Sequence, residues 1–177
     1  LDPAVPEHRK KLPEVVGVVF QNPDDQLFSP TVEEDVAFGP LNMGASPADA
    51  KARVAEALGA VGMPTAGERV PFQLSGGEKR RAAFAGVLAM RPSVLLLDEP
   101  SMFLDPRGRR GLVGVIRALP GTKLIATHDL DLVLDLCPRV LVLDAGRLAA
   151  DGPAETLLAD AEIMGHHGLE VPYRLRK

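Results

Sequence analysis

Four places along the chain carry residue types that do chemistry. Asp98-Glu99 follows an unbroken apolar run, Val94-Leu95-Leu96-Leu97. A carboxylate at the carboxyl end of a strand can hold a divalent cation, usually through water, and a second one beside it can orient or deprotonate a water. Taken alone, the pair also reads as an acidic turn after a core strand. Leu74-Ser75-Gly76-Gly77-Glu78 precedes a helix pattern. Two glycines let backbone N–H groups approach an anion, the helix N-terminus adds partial positive charge, and the Ser75 hydroxyl adds a donor. Helix capping by Ser75 uses the same residues. His128 ends another apolar run and could donate to a phosphate oxygen, or be satisfied in a local turn beside Asp129. Gln21 could reach a metal or a water, or serve as an ordinary turn residue.

The elements that position these groups alternate. Val15–Phe20 reads as a buried strand, followed by turn chemistry at Gln21–Asp25. Thr31 caps a helix with Glu33, Glu34 and Asp35 in a solvated first turn, stopping near Gly39-Pro40. Ser46-Pro47 opens a second helix, with Ala50, Val54, Ala57, Leu58 and Val61 at helical spacing, ended by Gly62 and Pro64. A loop at Leu74–Gly77 leads to a helix over Glu78–Met90. Strand Val94–Leu97, helix Pro106–Leu119, strand Lys123–Thr127 and helix Leu130–Leu136 follow. Val140–Leu143 and Arg147–Ala150 flank Asp144-Ala145-Gly146 as a hairpin, and Pro153–Ala159 reads as a last helix before a weakly patterned tail. Alternating strands and helices imply an α/β fold with a mostly parallel sheet, whose ligand site lies outside the carboxyl ends of the strands. Gln21, Asp98-Glu99 and His128 all fall at strand ends.

Composition narrows the function classes. The 177 residues hold 20 basic and 24 acidic side chains, a net charge of −4. That balance suits nucleic-acid binding poorly, and the clusters Arg9-Lys10-Lys11 and Lys79-Arg80-Arg81 are too short to reverse it. The single cysteine, Cys137, excludes a disulfide framework within the chain and fits a reducing, cytosolic setting. No apolar run approaches the roughly 18 residues of a membrane helix. His166-His167 are adjacent and do not converge on one ion, so they read as a solvated tail.

The order Gln21, Leu74–Glu78, Asp98-Glu99, Ser101–Asp105, His128 resembles the nucleotide-binding domain of ABC transporters over nearly the whole chain. Leu74-Ser75-Gly76-Gly77-Glu78 is similar to the full signature motif, Gln21 to the Q-loop position, Ser101–Asp105 to the D-loop and His128 to the switch histidine. Val19–Phe28 and Val32–Gly39 look like the ATP-binding subunit of cobalt-type and energy-coupling-factor importers. The resemblance implies a P-loop NTPase-like α/β fold: a helical subdomain over about 31–72, a catalytic core over 1–30 and 73–152, and a C-terminal helix and tail over 153–177. It implies ATP and Mg²⁺ as cofactors. Asp98 and Gln21 would hold Mg²⁺, Glu99 would be the general base, and Gln21 would also sense a membrane subunit. His128 would bond the γ-phosphate. Ser75, Gly76, Gly77 and Glu78 would meet ATP bound to a second, head-to-tail ATPase subunit, with Asp105 at that interface. A transmembrane coupling subunit would dock on the helical part, placing the protein in the cytoplasm on the inner face of the membrane, with no nucleic-acid partner.

The family's P-loop, G-x-x-x-x-G-K-S/T, does not occur in these 177 residues. The expectation is a chain lacking the P-loop strand and helix and inactive alone, with apolar edges bared on the strands at Val15 and Val94. The alternatives are a non-catalytic module that lends Ser75–Glu78 in trans to a competent ATPase, and a non-transport ABC protein of DNA repair or translation.

Overall fold

The computed structural model describes residues 2, 4–102 and 104–176, Lys10 by its backbone only. Phe103, inside the Ser101–Asp105 stretch, lies outside the described residues. The chain divides into two compact units, Leu1–Ala126 and Thr127–Lys177.

The first unit opens with α1 (Pro6–Val15), a helix without clear apolar periodicity that the sequence reading did not include. Strand β1 (Val16–Val19) leads through a 3₁₀ turn at Pro23–Asp25 to α2 (Val32–Asn42) and α3 (Pro47–Ala60). Then come α4 (Gly76–Ala89), β2 (Val94–Asp98), α5 (Pro106–Ala118) and β3 (Thr122–Ala126). The three strands form one parallel sheet in the order β1-β2-β3. Val19 stands opposite Leu97, and Asp98 opposite Ala126. The carboxyl ends therefore line up along one rim, as the alternating pattern implies.

Helix α4 is the centre of this unit. Its buried face is built of Arg80, Ala82, Ala83, Phe84, Ala85, Val87 and Ala89, and it packs against α2, α3 and β1. Small residues allow close approach, and two glycines complete it. A Cβ on Gly17 of β1 would stand 2.4 Å from Val87 Cγ1, and one on Gly39 of α2 would stand 2.5 Å from Met90 Cγ. Both gaps are far below van der Waals contact, so a side chain at either site would force its neighbours to shift.

Several expectations are corrected. Helix α2 does not stop at Gly39-Pro40 but runs to Asn42. Pro40 forfeits one helical N–H bond, yet it is buried, its carbonyl accepts from Ala45 N at 3.0 Å, and the stop falls at Gly44, where φ is +85°. Asp35 is not a solvated member of the first turn. It is 8% exposed, and its Oδ1 accepts from the backbone N–H groups of Phe28 and Ser29 at 3.0 and 2.9 Å. The loop at Leu74–Gly77 is shorter than expected, because Gly76 and Gly77 already belong to α4. The strand at Val94 is not an edge: β2 is paired on both sides, and β1 and β3 carry the open edges. Val18, Phe20 and Leu124 are exposed there.

The second unit holds α6 (Leu130–Leu136), the antiparallel hairpin β4 (Arg139–Asp144) and β5 (Arg147–Pro153), α7 (Ala154–Leu158) and α8 (Ala161–His166). Val133, Val142, Ala154, Leu157, Leu158 and Met164 form its core. The tail is thus folded. His167 Nδ1 lies 2.8 Å from Asp144 Oδ2, and His166 packs edge-on against His167.

Replacing Gly17 by alanine is expected to destabilise the fold by about 1–3 kcal/mol through overpacking. Gly59→Ala, at a helical site with nothing within 4 Å, is expected to be neutral or stabilising by up to about 1 kcal/mol. Urea unfolding of the two variants measures the difference, and equal midpoints would refute the close-approach argument.

Candidate functional site

Residues from three segments meet at the carboxyl rim of the β1-β2-β3 sheet. The first is the turn after β1. Gln26 folds back on it: Phe20 N–H donates to Gln26 Oε1 at 3.1 Å, and Gln26 Nε2 donates to the carbonyls of Val18 and Ala83 at 3.5 and 3.4 Å. Asn22 caps the 3₁₀ turn by accepting from Asp24 N–H. Lys79 of α4 pairs with Asp24 at 2.6 Å. Gln21 itself is exposed, and its Nε2 lies 3.1 Å from Met102 Sδ.

The second segment follows β2. Asp98 is exposed at the strand end, and Glu99 is half-buried. Glu99 adopts φ +43°, a left-handed conformation that costs a side-chain-bearing residue roughly 1–2 kcal/mol. Hydrogen bonds on both sides of the residue hold it there. Its N–H donates to Ala126 O at 2.9 Å, and its carbonyl accepts from Arg80 at 2.9 Å. Met102 N–H then bonds Glu99 O, turning the chain toward Asp105. Asp105 caps α5 by accepting from Gly108 N–H at 2.7 Å.

The third segment is the start of α4. Ser75 and Glu78 form a complete capping box. Glu78 N–H donates to Ser75 Oγ, while the Ser75 N–H and hydroxyl both donate to Glu78 Oε2 at 2.8 Å. Arg69 binds the same carboxylate through both guanidinium nitrogens. Arg69 first, then the two Ser75 donors, hold the Glu78 carboxyl down at about 2, from an ordinary 4.5. In this state the Ser75 proton is directed at Glu78. A phosphate oxygen reaching Ser75 would compete with that bond. A Cβ on Gly76 would meet nothing within 4 Å, so nothing in the chain's own packing demands a glycine there. At Gly77 a Cβ would lie 3.5 Å from Leu104, which brings the Ser101–Asp105 stretch beside the start of α4.

The structure therefore brings together Gln21, Asp98, Glu99, Asp105 and Ser75–Glu78 within one unit. His128 belongs to the other. It is exposed and stands just ahead of α6, whose N-cap is Asp129, accepting from Leu132 N–H at 2.8 Å. Among the described residues, no group of three or more His, Cys, Asp or Glu could hold a metal ion on its own.

Sequence reasoning missed Arg80, which it placed in a basic cluster. Arg80 is 3% exposed. Its two terminal nitrogens donate to Glu99 O at 2.9 Å and to Gln21 O at 2.8 Å. Burial pulls its pKa below the usual arginine value, and the negative charge of Glu99 opposes that; the guanidinium stays charged. One signal was available: Arg80, Phe84 and Val87 are spaced i, i+4, i+7, which sets them on a single helix face.

Comparison with known proteins matches residues 2–102 to the family model described as ABC transporter. A putative ABC transporter ATP-binding protein of Geobacter sulfurreducens is 51% identical over 174 residues, covering 97% of this chain and 70% of the relative. The energy-coupling factor transporter ATP-binding protein EcfA of Methanoculleus marisnigri is 46% identical over 175 residues, covering 97% and 63%. Among solved structures, CbiO1 of Clostridium perfringens, described as part of the ABC transporter complex CbiONQ, superposes with a TM-score of 0.80 at 38% identity, covering 92% of this chain and 66% of that one. The chain spans 60–70% of the length of the first curated relatives it matches.

The depressed Glu78 carboxyl makes the α4 cap sensitive to acid. A group whose folded pKa is lowered stabilises the fold above its unfolded value and loses that contribution as pH falls through the folded one. The stability gap between wild type and Glu78→Gln is expected to be full above pH 4.5 and to close toward pH 2. Urea midpoints across that range measure it; a gap independent of pH would refute the assignment. Ser75→Ala is expected to cost about 1 kcal/mol by loss of the cap.

Proposed function

The chain belongs to the ABC transporter family, and on that premise we propose that it is part of the ATP-hydrolysing subunit of an importer of the energy-coupling or cobalt type. One arrangement carries the reading. The Gln21 turn and Asp98-Glu99 share the carboxyl rim of a parallel sheet, and the helix that begins at Ser75 is bonded to both. The likeness to EcfA and CbiO1 supports the importer class.

In this reading Glu99 is the general base. Its carboxylate takes the proton of a water whose oxygen attacks the γ-phosphorus of ATP, and ADP leaves with the bridging oxygen. Gln21 orients that water, and the exposed end of β1 keeps its side chain available to it. His128 donates a hydrogen bond to the γ-phosphate. Asp98, through water, and Gln21 would be the oxygen donors for Mg²⁺. Such hard donors suit the ion, which takes most of its ligands from water and phosphate and so needs no closed protein cage. When bound, Mg²⁺ neutralises charge on the β- and γ-phosphates. No P-loop motif occurs in the 177 residues, so the cradle for the β-phosphate is assigned to residues outside them.

Ser75, Gly76 and Gly77 face ATP held by a second ATPase subunit, with Glu78 positioning Ser75 and Asp105 at the shared interface. The open space around Gly76 supports this, since a phosphate can approach the backbone N–H groups there. The helical part over about 31–72 receives a transmembrane coupling subunit. Among the described residues, no helix is long and apolar enough to cross a membrane itself. The subunit works on the cytoplasmic face.

Calorimetric titration is expected to show no micromolar ATP binding to the 177-residue chain by itself. In the native assembly that contains it, Glu99→Gln is expected to lower kcat by about 10²–10⁴-fold while ATP binding persists. Full turnover in that variant would sink the assignment of the base.

A further inference from the structure

Arg80 is the most deeply buried charged side chain among the described residues, at 3% exposure. Burying a guanidinium is costly, and a well-packed apolar residue of similar size is often tolerated as well or better. Its two terminal nitrogens bond not carboxylates but backbone carbonyls. They are the carbonyls of Gln21 and Glu99, the two residues assigned to the attacking water. These lie on separate segments, after β1 and after β2. A planar fork with five fixed donors can hold two carbonyls in a set relation, and an ammonium cannot do so in the same way.

The backbone at Glu99 is where such a grip has consequence. Its left-handed φ of +43° sets the direction in which the side chain leaves the main chain. The conformation persists only if the surroundings over-determine it. Ala126 fixes the N–H side, and Arg80, with the Met102 N–H beside it, fixes the carbonyl side. Arg80 also belongs to the helix that starts at Ser75, so a shift of that helix is passed to Gln21 and Glu99 through rigid bonds. The neighbouring Lys79–Asp24 pair and the Gln26–Ala83 bond tie the same turn to the same helix.

We propose that Arg80 is a positioning residue for hydrolysis: by gripping the Gln21 and Glu99 carbonyls together, it aims the Glu99 carboxylate and couples it to the helix that begins at Ser75. The inference rests on the reading of Glu99 as the base. It differs from a packing role in one respect. A misplaced base lowers the rate of the chemical step without weakening ATP binding, and a displacement of about 1 Å is enough to cost about 100-fold.

Two measurements test it. In the 177-residue chain, backbone amide exchange is followed in wild type, Arg80→Lys and Arg80→Met. Arg80→Met is expected to speed exchange at the Glu99 amide by about tenfold, while Phe84 and Val87 in α4 stay within about twofold. Unchanged exchange at Glu99, or acceleration spread evenly over α4 and β2, overturns the grip. In the native assembly, Arg80→Met is expected to lower kcat by about 10–100-fold with KM for ATP within about threefold, and Arg80→Lys to restore part of the rate. A kcat within twofold of wild type, or a loss confined to KM, overturns the positioning role. If Arg80→Met does not fold, Arg80→Lys carries both measurements: it keeps the charge but loses the fork, and wild-type exchange and kcat in that variant would overturn the proposal. If the wild-type assembly does not hydrolyse ATP, the functional reading fails while the exchange experiment still decides whether the grip exists.

Discussion

Helix α4 lies against the sheet at a depth that only glycine permits. Val87 and Pro92 occupy the space a Cβ on Gly17 would need, and Met90 occupies that of Gly39. Along the same helix Ala82, Ala83, Ala85 and Ala89 are all nearly inaccessible. Such a face gains burial with little loss of side-chain entropy and leaves no slack along the helix axis. Everything at the carboxyl rim is referred to this placement. A helix seated farther out would carry Arg80 away from both carbonyls and Lys79 away from Asp24. The site is a consequence of packing depth before it is a matter of electrostatics.

The electrostatics then act on the end of α4 that faces outward. Its first-turn N–H groups and partial positive charge attract an anion, and the chain supplies its own in Glu78. Arg69 and Ser75 hold that carboxylate ionised far into acid. The helix start is thereby closed by an internal carboxylate, and Ser75 serves the fold in the same geometry that the proposed function requires it to leave. In the proposed function, an arriving phosphate would exchange one anionic partner of Ser75 for another. The Arg69–Glu78 pair remains, so the helix keeps most of its cap during the exchange.

The order of strands explains where apolar surface stays open. With β2 central, the exposed rims belong to β1 and β3, marked by Val18, Phe20 and Leu124. The hairpin of the second unit pairs only with itself among the described residues, and Leu141, Leu143 and Leu148 are exposed on it.

Local chemistry was enough to read much of this from the residues. The apolar runs at Val16 and Val94 and the capping signals at Thr31, Ser46 and Ser75 each act within a few residues, so their elements were legible. So was the family, because Leu74–Glu78, Asp98-Glu99 and His128 recur in a set order. Other features depend on residues far apart in the chain. Pro40 continues a helix because its burial and the Ala45 bond outweigh one lost N–H. Asp35 turns inward because two backbone donors from the preceding loop await it. Arg80 leaves a basic cluster for the core because two carbonyls, from segments after β1 and β2, converge on it. Desolvating a charge is favourable only where partners are already in place, and those partners are assembled by the sheet register and the depth of α4. Sequence periodicity determined the elements and their order; the tertiary structure decided which charges are buried, what they hold, and how Glu99 is turned.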